Sequence, residues 1–229
     1  MYLCMRIGRT LSPKDLGLMI EKFQIDLAGN DKRVGNYALD FNNPQALRLM
    51  LDAYPTLISL INQYPRMSEL TFLDVGPAFG ASAGLISQMH RSHFLGPKIK
   101  VDVLDIVDSR RKFIEFTHPH VNFIHSSLEN LPTSLNWDFI YCSNVIEHVA
   151  NPKLLLNQIL LHTKGFAIIL APYKEQEPLS LGHLVHIDES TFSEFTVVSI
   201  HIFNTQAWPT TSDGVERLQI LAVLKGMSD

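Results

Sequence analysis

Short apolar runs alternate with helical patterns from residue 70 to residue 171. Five of these segments are of strand length and rich in apolar residues, as is typical of strands in a buried sheet: Leu70–Val75, Lys98–Ile106, Val121–His125, Trp137–Cys142 and Gly165–Ala171. The segments between them include three predicted helices, Ala81–His90, Arg110–Phe116 and Lys153–His162. Alternation of this kind predicts an α/β domain in which parallel strands are joined by right-handed crossovers.

The C-terminal part departs from this alternation. Thr196–Phe203 and Arg217–Leu224 both have strand patterns, and only the turn-rich connector Thr205–Gly214 separates them. Two strands joined without a helix predict an antiparallel hairpin. The sheet is therefore expected to be mostly parallel, with seven strands and an antiparallel C-terminal hairpin.

The N-terminal third is predicted to be helical. Ser12 and Pro13 begin one helix, and Asn43 and Pro44 begin a second. The first has one apolar stripe, formed by Leu16, Met19, Ile20, Phe23 and Leu27, and the second has another, formed by Leu47, Met50, Leu51 and Tyr54. Pro55 is expected to break or kink the second helix. We expect residues 1–68 to form a helical cover on a compact domain of residues 69–229.

Composition limits the possible functions. A chain of 229 residues with 46% apolar content is long enough for one sizeable core. Its net charge of −4 and dispersed basic residues give no footprint for nucleic acid. Cys4 and Cys142 form no paired spacing, which argues against a disulfide framework or a zinc site and fits a cytoplasmic location. No apolar run has the ~18 residues that span a bilayer.

The first candidate for chemistry is the turn that follows the first strand. Gly76 and Gly80 lie between that strand and the next helix, where glycine tolerates positive φ and lets a ligand approach the backbone. The helix that follows presents free N–H groups and its positive end to the turn. This unit favours a polar or anionic ligand, although a glycine turn can also serve packing alone.

The second candidate is Asp105, at the end of the second strand. A carboxylate at that position of a nucleotide-binding half-sheet can accept hydrogen bonds from both ribose hydroxyls. The alternative is a solvated acid at a strand end. The glycine turn one repeat upstream favours the ribose role.

These segments together resemble class I S-adenosylmethionine (SAM)-dependent methyltransferases, in the small-molecule branch that includes ubiquinone-biosynthesis enzymes. The likeness covers roughly Leu70–Leu224 and is carried by FLDVGPAFG, VDVLDI, SSLENLP and WDFIYCSNVIEHVANP, in the family's order. It implies a Rossmann-like, seven-stranded, mostly parallel sheet flanked by helices. It also implies SAM as cofactor and S-adenosylhomocysteine as product.

The resemblance assigns cofactor roles to individual residues. Asp74, Gly76, Ala78 and Gly80 would frame the methionine end of SAM, and Asp105 would hold the ribose. Ser127 and Leu128 would flank adenine, and Ser143 and Asn144 would line the floor near the sulfonium. The sequence departs from the family at Ala78, where a glycine is usual, and at Ser127, where an acid often contacts the adenine amino group.

The acceptor site is expected in the connection between the fifth strand and the hairpin, Pro172–Phe195, because this connection commonly contributes to it in the family. This stretch contains Tyr173, Glu175, His183, His186, Asp188 and Glu189. His183 is the candidate general base, since Gly182 before it permits an unusual loop conformation and histidine titrates near neutrality. The alternative is a structural loop histidine. His183 and His186 could ligate a metal, but no third ligand is fixed by spacing, so no metal is predicted. His148 is expected to orient its loop.

The function predicted is methyl transfer from SAM to a small-molecule acceptor, with oxygen slightly preferred over nitrogen or carbon. A NAD-dependent oxidoreductase is disfavoured, because Gly76–Ala81 fits the G-x-G-x-x-G pattern only with alanine at two glycine positions. A non-catalytic protein that binds SAM or a nucleotide is a further alternative. The identity of the acceptor and the oligomeric state are not encoded in any recognisable motif.

Overall fold

A computed structural model of the chain describes residues 43–205, 207 and 217–227. In these residues the helices are α1 (Asn43–Ile61), α2 (Ala81–Met89), α3 (Arg111–Thr117) and α4 (Pro152–Leu161). The strands are β1 (Glu69–Val75), β2 (Lys98–Asp105), β3 (Val121–His125), β4 (Trp137–Ser143), β5 (Thr163–Pro172), β6 (Val197–Asn204) and β7 (Leu218–Lys225). Short 3₁₀ turns lie at Asp108–Arg110, Leu128–Asn130, Ile146–His148 and Glu189–Phe192. The helix predicted to begin at Ser12 lies outside the described residues.

The seven strands form one sheet in the order β3-β2-β1-β4-β5-β7-β6. Strands β1 to β5 pair in parallel, and β7 pairs antiparallel with both β5 and β6. The predicted Rossmann-like sheet with an antiparallel C-terminal hairpin is confirmed. The hairpin folds back so that its second strand, β7, lies next to the parallel part and β6 forms the edge.

Both faces of the central strands β2, β1, β4, β5 and β7 are buried, whereas most residues of the edge strand β6 are exposed. Alternate strand residues contribute to two apolar clusters, one under α1, α2 and α3 and the other under α4. Because successive strand side chains point to opposite faces, burial on both faces produces the apolar-rich segments seen in the sequence. Two large side chains of this core, Phe79 and Trp137, are only 3% and 2% exposed.

Helix α1 differs from its prediction in two respects. It continues through Pro55 to Ile61 instead of breaking, and Leu47 and Leu51 of the predicted stripe are exposed. The buried face comprises Leu49, Met50, Ala53, Leu57, Leu60 and Ile61, which pack on the sheet. The extra turn past Pro55 adds apolar contacts that offset the missing backbone hydrogen bond, and Pro55 lies on the exposed side.

The boundary between the N-terminal cover and the sheet domain, and the absence of a membrane-spanning helix, were also expected from the sequence. The division at residue 68 is still a prediction, although α1 covers the sheet as expected of the N-terminal part. Within residues 43–205, 207 and 217–227, every helix is too short or too polar to cross a lipid bilayer.

Candidate active site

A cavity of about 1020 Å³ opens at the carboxyl ends of β1, β4 and β5. Its walls are the turn after β1, the segment after β4, the connection after β5 and the first turns of α1. The order of the sheet places the crossovers of β1 and β4 on opposite sides, which leaves a crevice between their ends. Ligands of open α/β sheets bind in such a crevice.

The glycine turn forms one wall of the cavity. Gly76 has φ 68°, and a Cβ added there would lie 2.6 Å from the Val145 side chain, so both conformation and space require glycine. Ala78 also lines the cavity and has φ 50°, a conformation that alanine rarely adopts. The turn therefore keeps the shape expected of a glycine-rich loop even where glycine is replaced.

Asp74 lies at the bottom of this wall and is 2% exposed. Burial raises its carboxyl pKa to about 8, and the nearby Asp105 charge adds to this, while the backbone N–H of Ala83 opposes it. Oxygen Oδ2 of Asp74 has no hydrogen-bond partner among the described residues. An unsatisfied carboxyl in a cavity is suited to a cationic or N–H ligand group.

Gly80 and Gly84 face away from the cavity. Gly80 has φ 80° at the N-cap of α2, and a Cβ there would lie 3.2 Å from His118 and Ile114. A Cβ on Gly84 would overlap the His118 ring, so Gly84 packs against a side chain that lies just after α3. A side chain at either glycine would disturb the same partly buried histidine, His118. Comparing substitutions at Gly80 and Gly84 therefore cannot distinguish an effect on ligand binding from an effect on packing.

Asp105 lies at the tip of β2, just outside the cavity lining, and is held by its own chain. Val107 N–H donates to Oδ1 at 2.9 Å and Arg110 Nη1 donates to Oδ2 at 2.8 Å. The Arg110 guanidinium lines the cavity and lies over the Phe79 ring. A ribose bound by Asp105 must therefore share the carboxylate with Arg110 or displace it.

Ser127 and Leu128 do not line the cavity. Ser127 donates to Glu129 and accepts from Asn130 within the turn after β3. Leu128 is 5% exposed and packs in the core under α4. Their predicted contact with adenine remains a prediction.

Ser143 and Asn144 line the cavity at the end of β4. Asn144 has φ 52°, and its side chain donates to Ser143 Oγ at 3.1 Å. Its buried Oδ1 has no partner among the residues that the structure describes. This leaves one buried acceptor atom without a partner in the predicted floor of the cavity.

Glu147 and His148 continue the segment after β4. Glu147 is 1% exposed, and its carboxylate has no hydrogen-bond partner from another described residue. Burial raises the pKa of Glu147 to about 8, and the Glu175 charge adds to this. His148 Nδ1 donates to the Gly182 carbonyl at 2.9 Å, which joins the two loops as expected of a loop-orienting histidine.

His183 lines the cavity from the opposite loop. Gly182 before it has φ 91°, an unusual loop conformation of the kind that led us to choose His183 as the candidate base. His183 Nδ1 lies 2.5 Å from Glu175 Oε2, and both side chains are mostly buried. Partial burial of Glu175 works to raise its pKa, but hydrogen bonds from Ser180 and His183 lower it overall. His186 is separate, since it pairs with Glu177 at 2.8 Å and is half exposed.

The segment that builds this site matches a known family. Residues 73–169 match a family model described as a methyltransferase domain. Residues 73–169 are thereby identified as a methyltransferase domain, the kind of domain that the resemblance to class I SAM-dependent methyltransferases implied. The resemblance inferred from the motifs is confirmed, and SAM is the cofactor of this class.

Similarity to individual known proteins covers different parts of the chain. Ubiquinone biosynthesis O-methyltransferase of Rickettsia akari (strain Hartford) is 25% identical over 121 residues, which are 52% of this chain and 47% of that protein. The chain thus spans about half the length of the curated relatives it matches.

Solved structures agree with the fold. N-methyltransferase NodS from Bradyrhizobium japonicum, in complex with S-adenosylhomocysteine, has a TM-score of 0.55 at 16% identity, over 91% of this chain and 98% of that one. The [4+2]-cyclase SpnF has a TM-score of 0.56 at 11% identity, over 76% and 81%. Because the second is described as a cyclase, the fold alone does not identify the reaction.

The sequence analysis did not predict the roles of three residues of the candidate site. Arg110 pairs with the predicted ribose acid, Glu175 pairs with the predicted base, and Glu147 is buried without a partner. The five-residue spacing from Asp105 to Arg110, across a strand end and one turn, was an available signal. The other two depend on how the loops after β4 and β5 meet.

Glu147, His148 and His183 form a cluster. One potential ligand atom from each lies within 4.8 Å of the other two, and the two imidazole rings meet edge to face at 4.8 Å between centroids. The sequence had offered His183 and His186 as a pair without a third ligand. The structure replaces His186 with two neighbours from the loop after β4.

Proposed function

We propose that this protein transfers the methyl group of SAM to a hydroxyl oxygen of a small molecule. The observation that supports the proposal is the cavity itself, which has the glycine turn and Asp74 on one side and the His183–Glu175 pair on the other. Its volume of about 1020 Å³ accommodates a cofactor and a small acceptor together.

The cofactor side follows the family roles. The turn of Gly76 and Ala78, with Asp74, would receive the methionine end, and Asn144 Oδ1 and Ser143 would lie near the sulfonium. Asp105 would take the ribose after Arg110 releases part of the carboxylate. Gly80 would contribute only by shaping the backbone turn, since a side chain at this position would face His118 and not the cavity.

The residues on the acceptor side of the cavity are suited to a hydroxyl nucleophile. The acceptor oxygen attacks the methyl carbon, the carbon–sulfur bond breaks with its electron pair on sulfur, and the hydroxyl proton must leave. In the metal-free protein, His183 donates Nδ1–H to Glu175 and keeps the Nε2 lone pair to accept that proton. Positioning of the two reactants supplies most of the remaining rate.

The charge of the chain bears on the class of acceptor. The acceptor is a small molecule and not nucleic acid, because the 19 basic residues are dispersed and the net charge is −4. The cytoplasmic location suggested by the two cysteines stays a prediction.

Two measurements test the proposal. Calorimetric titration with SAM, S-adenosylhomocysteine and NAD should give binding of the first two only, and transfer of labelled methyl to hydroxylated acceptors should follow. Substituting His183→Ala should leave SAM affinity unchanged and lower the single-turnover rate by roughly 10² to 10⁴. The matched control is His186→Ala, since His186 has a similar carboxylate partner, Glu177, but is half exposed. SAM binding without transfer to any acceptor would favour a non-catalytic binding protein.

A further inference from the structure

We infer that Glu147, His148 and His183 bind a divalent transition-metal cation at the acceptor end of the cavity. All three residues line the cavity, and one ligand atom from each lies within 4.8 Å of the others. The inference rests on the proposed function only for its account of the acceptor. The cation site itself stands on the cluster.

In both histidines Nδ1 is engaged in a hydrogen bond, which leaves Nε2 free to bind a cation. The Gly182 carbonyl only accepts hydrogen bonds, so His148 Nδ1 must carry the proton it donates. His183 Nδ1 is likewise directed to the Glu175 carboxylate. In both neutral rings the lone pair is then on Nε2. Carbonyl and carboxylate partners on the second nitrogen are the usual supports of a metal-ligating histidine.

Glu147 supplies the charge. A carboxylate that is 1% exposed and receives no hydrogen bond from another described residue is costly unless a ligand satisfies it. A divalent cation would compensate that charge and also reduce the repulsion between Glu147 and Glu175. The N–H groups of His148 and His183 cannot do the same, because both already have acceptors.

The donor set selects the type of cation. Two imidazole nitrogens and one carboxylate oxygen suit Zn²⁺, Co²⁺ or Fe²⁺, whereas Mg²⁺ and Ca²⁺ prefer oxygen ligands. Ligand atoms about 2.1 Å from one metal lie at most about 4 Å apart, so the cluster must contract by about 1 Å. His148 is on the exposed side and can make that movement.

The cation would change how His183 acts. With Nε2 of His183 bound to metal, the acceptor hydroxyl would bind at an open coordination position, where the cation lowers the pKa of that hydroxyl and its proton passes to solvent water. An acceptor with two neighbouring oxygens would occupy two such positions. The site therefore favours vicinal hydroxyl or hydroxy-carbonyl acceptors.

Cation binding is measured on the full-length, chelator-treated protein without SAM or acceptor. Co²⁺ titrated by visible absorption, and Zn²⁺ by competition, should bind at one equivalent, and Mg²⁺ should not compete. Glu147→Gln, His148→Gln and His183→Gln should each weaken Co²⁺ binding at least tenfold. Glu175→Gln, which loosens the support of His183, should weaken it less.

His186→Gln is the matched control, because it removes a neighbouring histidine with its own carboxylate partner, Glu177, outside the cluster. It should change Co²⁺ affinity less than twofold. If Glu147→Gln does not fold, Glu147→Asp replaces it, since a shorter side chain should still weaken binding. Equal affinity in all variants, or no stoichiometric Co²⁺ binding, overturns the inference. Because SAM is absent from this assay, its failure leaves the proposed methyl transfer untouched, and failed methyl transfer leaves the cation site intact.

Discussion

Ala78 holds a left-handed backbone conformation at the edge of the cofactor side of the cavity. A left-handed L-residue costs roughly 1–2 kcal/mol, and glycine removes most of this cost but adds entropy to the unfolded chain. Ala78→Gly is therefore expected to raise the free energy of unfolding by about 1 kcal/mol, measured by urea denaturation. Ala81→Gly, in the helix that follows, is the control and should destabilise by a similar amount. Destabilisation by Ala78→Gly would show that the alanine methyl has packing contacts that outweigh the strain.

Asp105 gives a second prediction at the residue scale. If its carboxylate binds the ribose, Asp105→Ala should weaken SAM binding at least tenfold, because a hydrogen bond to a charged group contributes about 1.5–3 kcal/mol. Calorimetry on the folded variant measures this. Asp108→Ala is the control, since Asp108 pairs with Arg111 in the next turn and does not line the cavity. An unchanged dissociation constant for Asp105→Ala would mean that the carboxylate serves only Val107 and Arg110.

At the scale of elements, helix α1 carries a proline that its packing tolerates. Pro55 lacks the N–H that would bond to the Leu51 carbonyl, and an interior proline costs about 3 kcal/mol relative to alanine. Pro55→Ala should stabilise the protein by about 1–2 kcal/mol after the greater entropy of the unfolded chain is subtracted. Pro65→Ala, an exposed proline outside the helix, is the control and should change stability by less than about 0.5 kcal/mol. A null result for Pro55→Ala in chemical denaturation would mean that α1 has already relaxed around the proline.

The elements show what the sequence could predict and why. The strands could be predicted because burial on two faces leaves a segment rich in apolar residues. Predicting a strand also predicts where its carboxyl end lies. Asp74, Asn144 and the glycine turn therefore came together as expected. The buried face of α1 was misassigned at Leu47 and Leu51, because the apolar stripe was traced only to Tyr54, before the expected break or kink at Pro55, and the later turns were left out.

Pairs between loops were beyond the same reasoning. His183 was found by its residue type and its glycine, but its partners depend on how two loops pack. Leu184 N–H donates to the Glu147 carbonyl at 2.8 Å, and this bond between the loops brings His183 to Glu147. A hydrophobic periodicity cannot predict this contact, because Glu147 and His183 are far apart in sequence and lie outside the strands and α-helices.

At the scale of the whole molecule, buried carboxyls make stability depend on pH. The pKa of Asp74 rises from 3.8 in the unfolded chain to about 8 in the folded protein because of burial, and Glu147 behaves alike. The folded state then holds protons that the unfolded state has lost. Their contribution to stability is complete below about pH 4 and disappears as pH rises through 8.

Other groups limit where this effect is visible. Burial lowers the pKa of His118 to about 4, so His118 stabilises the fold as pH rises towards 6.5 and opposes the carboxyls there. Exposed acids with lowered pKa, such as Asp108 and Glu189, are fully charged in both states above pH 6. The window from pH 6.5 to 8 therefore isolates the two buried carboxyls.

The melting temperature of the ligand-free protein should fall steadily between pH 6.5 and 8. Asp74→Asn keeps the shape of the side chain and removes its titration, so its melting temperature should fall less steeply across the same window. Asp102→Asn is the control, because Asp102 is also buried but accepts hydrogen bonds from Trp137 and Asn122. It should lower the melting temperature at every pH while keeping the wild-type slope. Parallel curves for wild type and Asp74→Asn would show that Asp74 is already ionised in the folded protein, with its charge balanced by a group in the cavity.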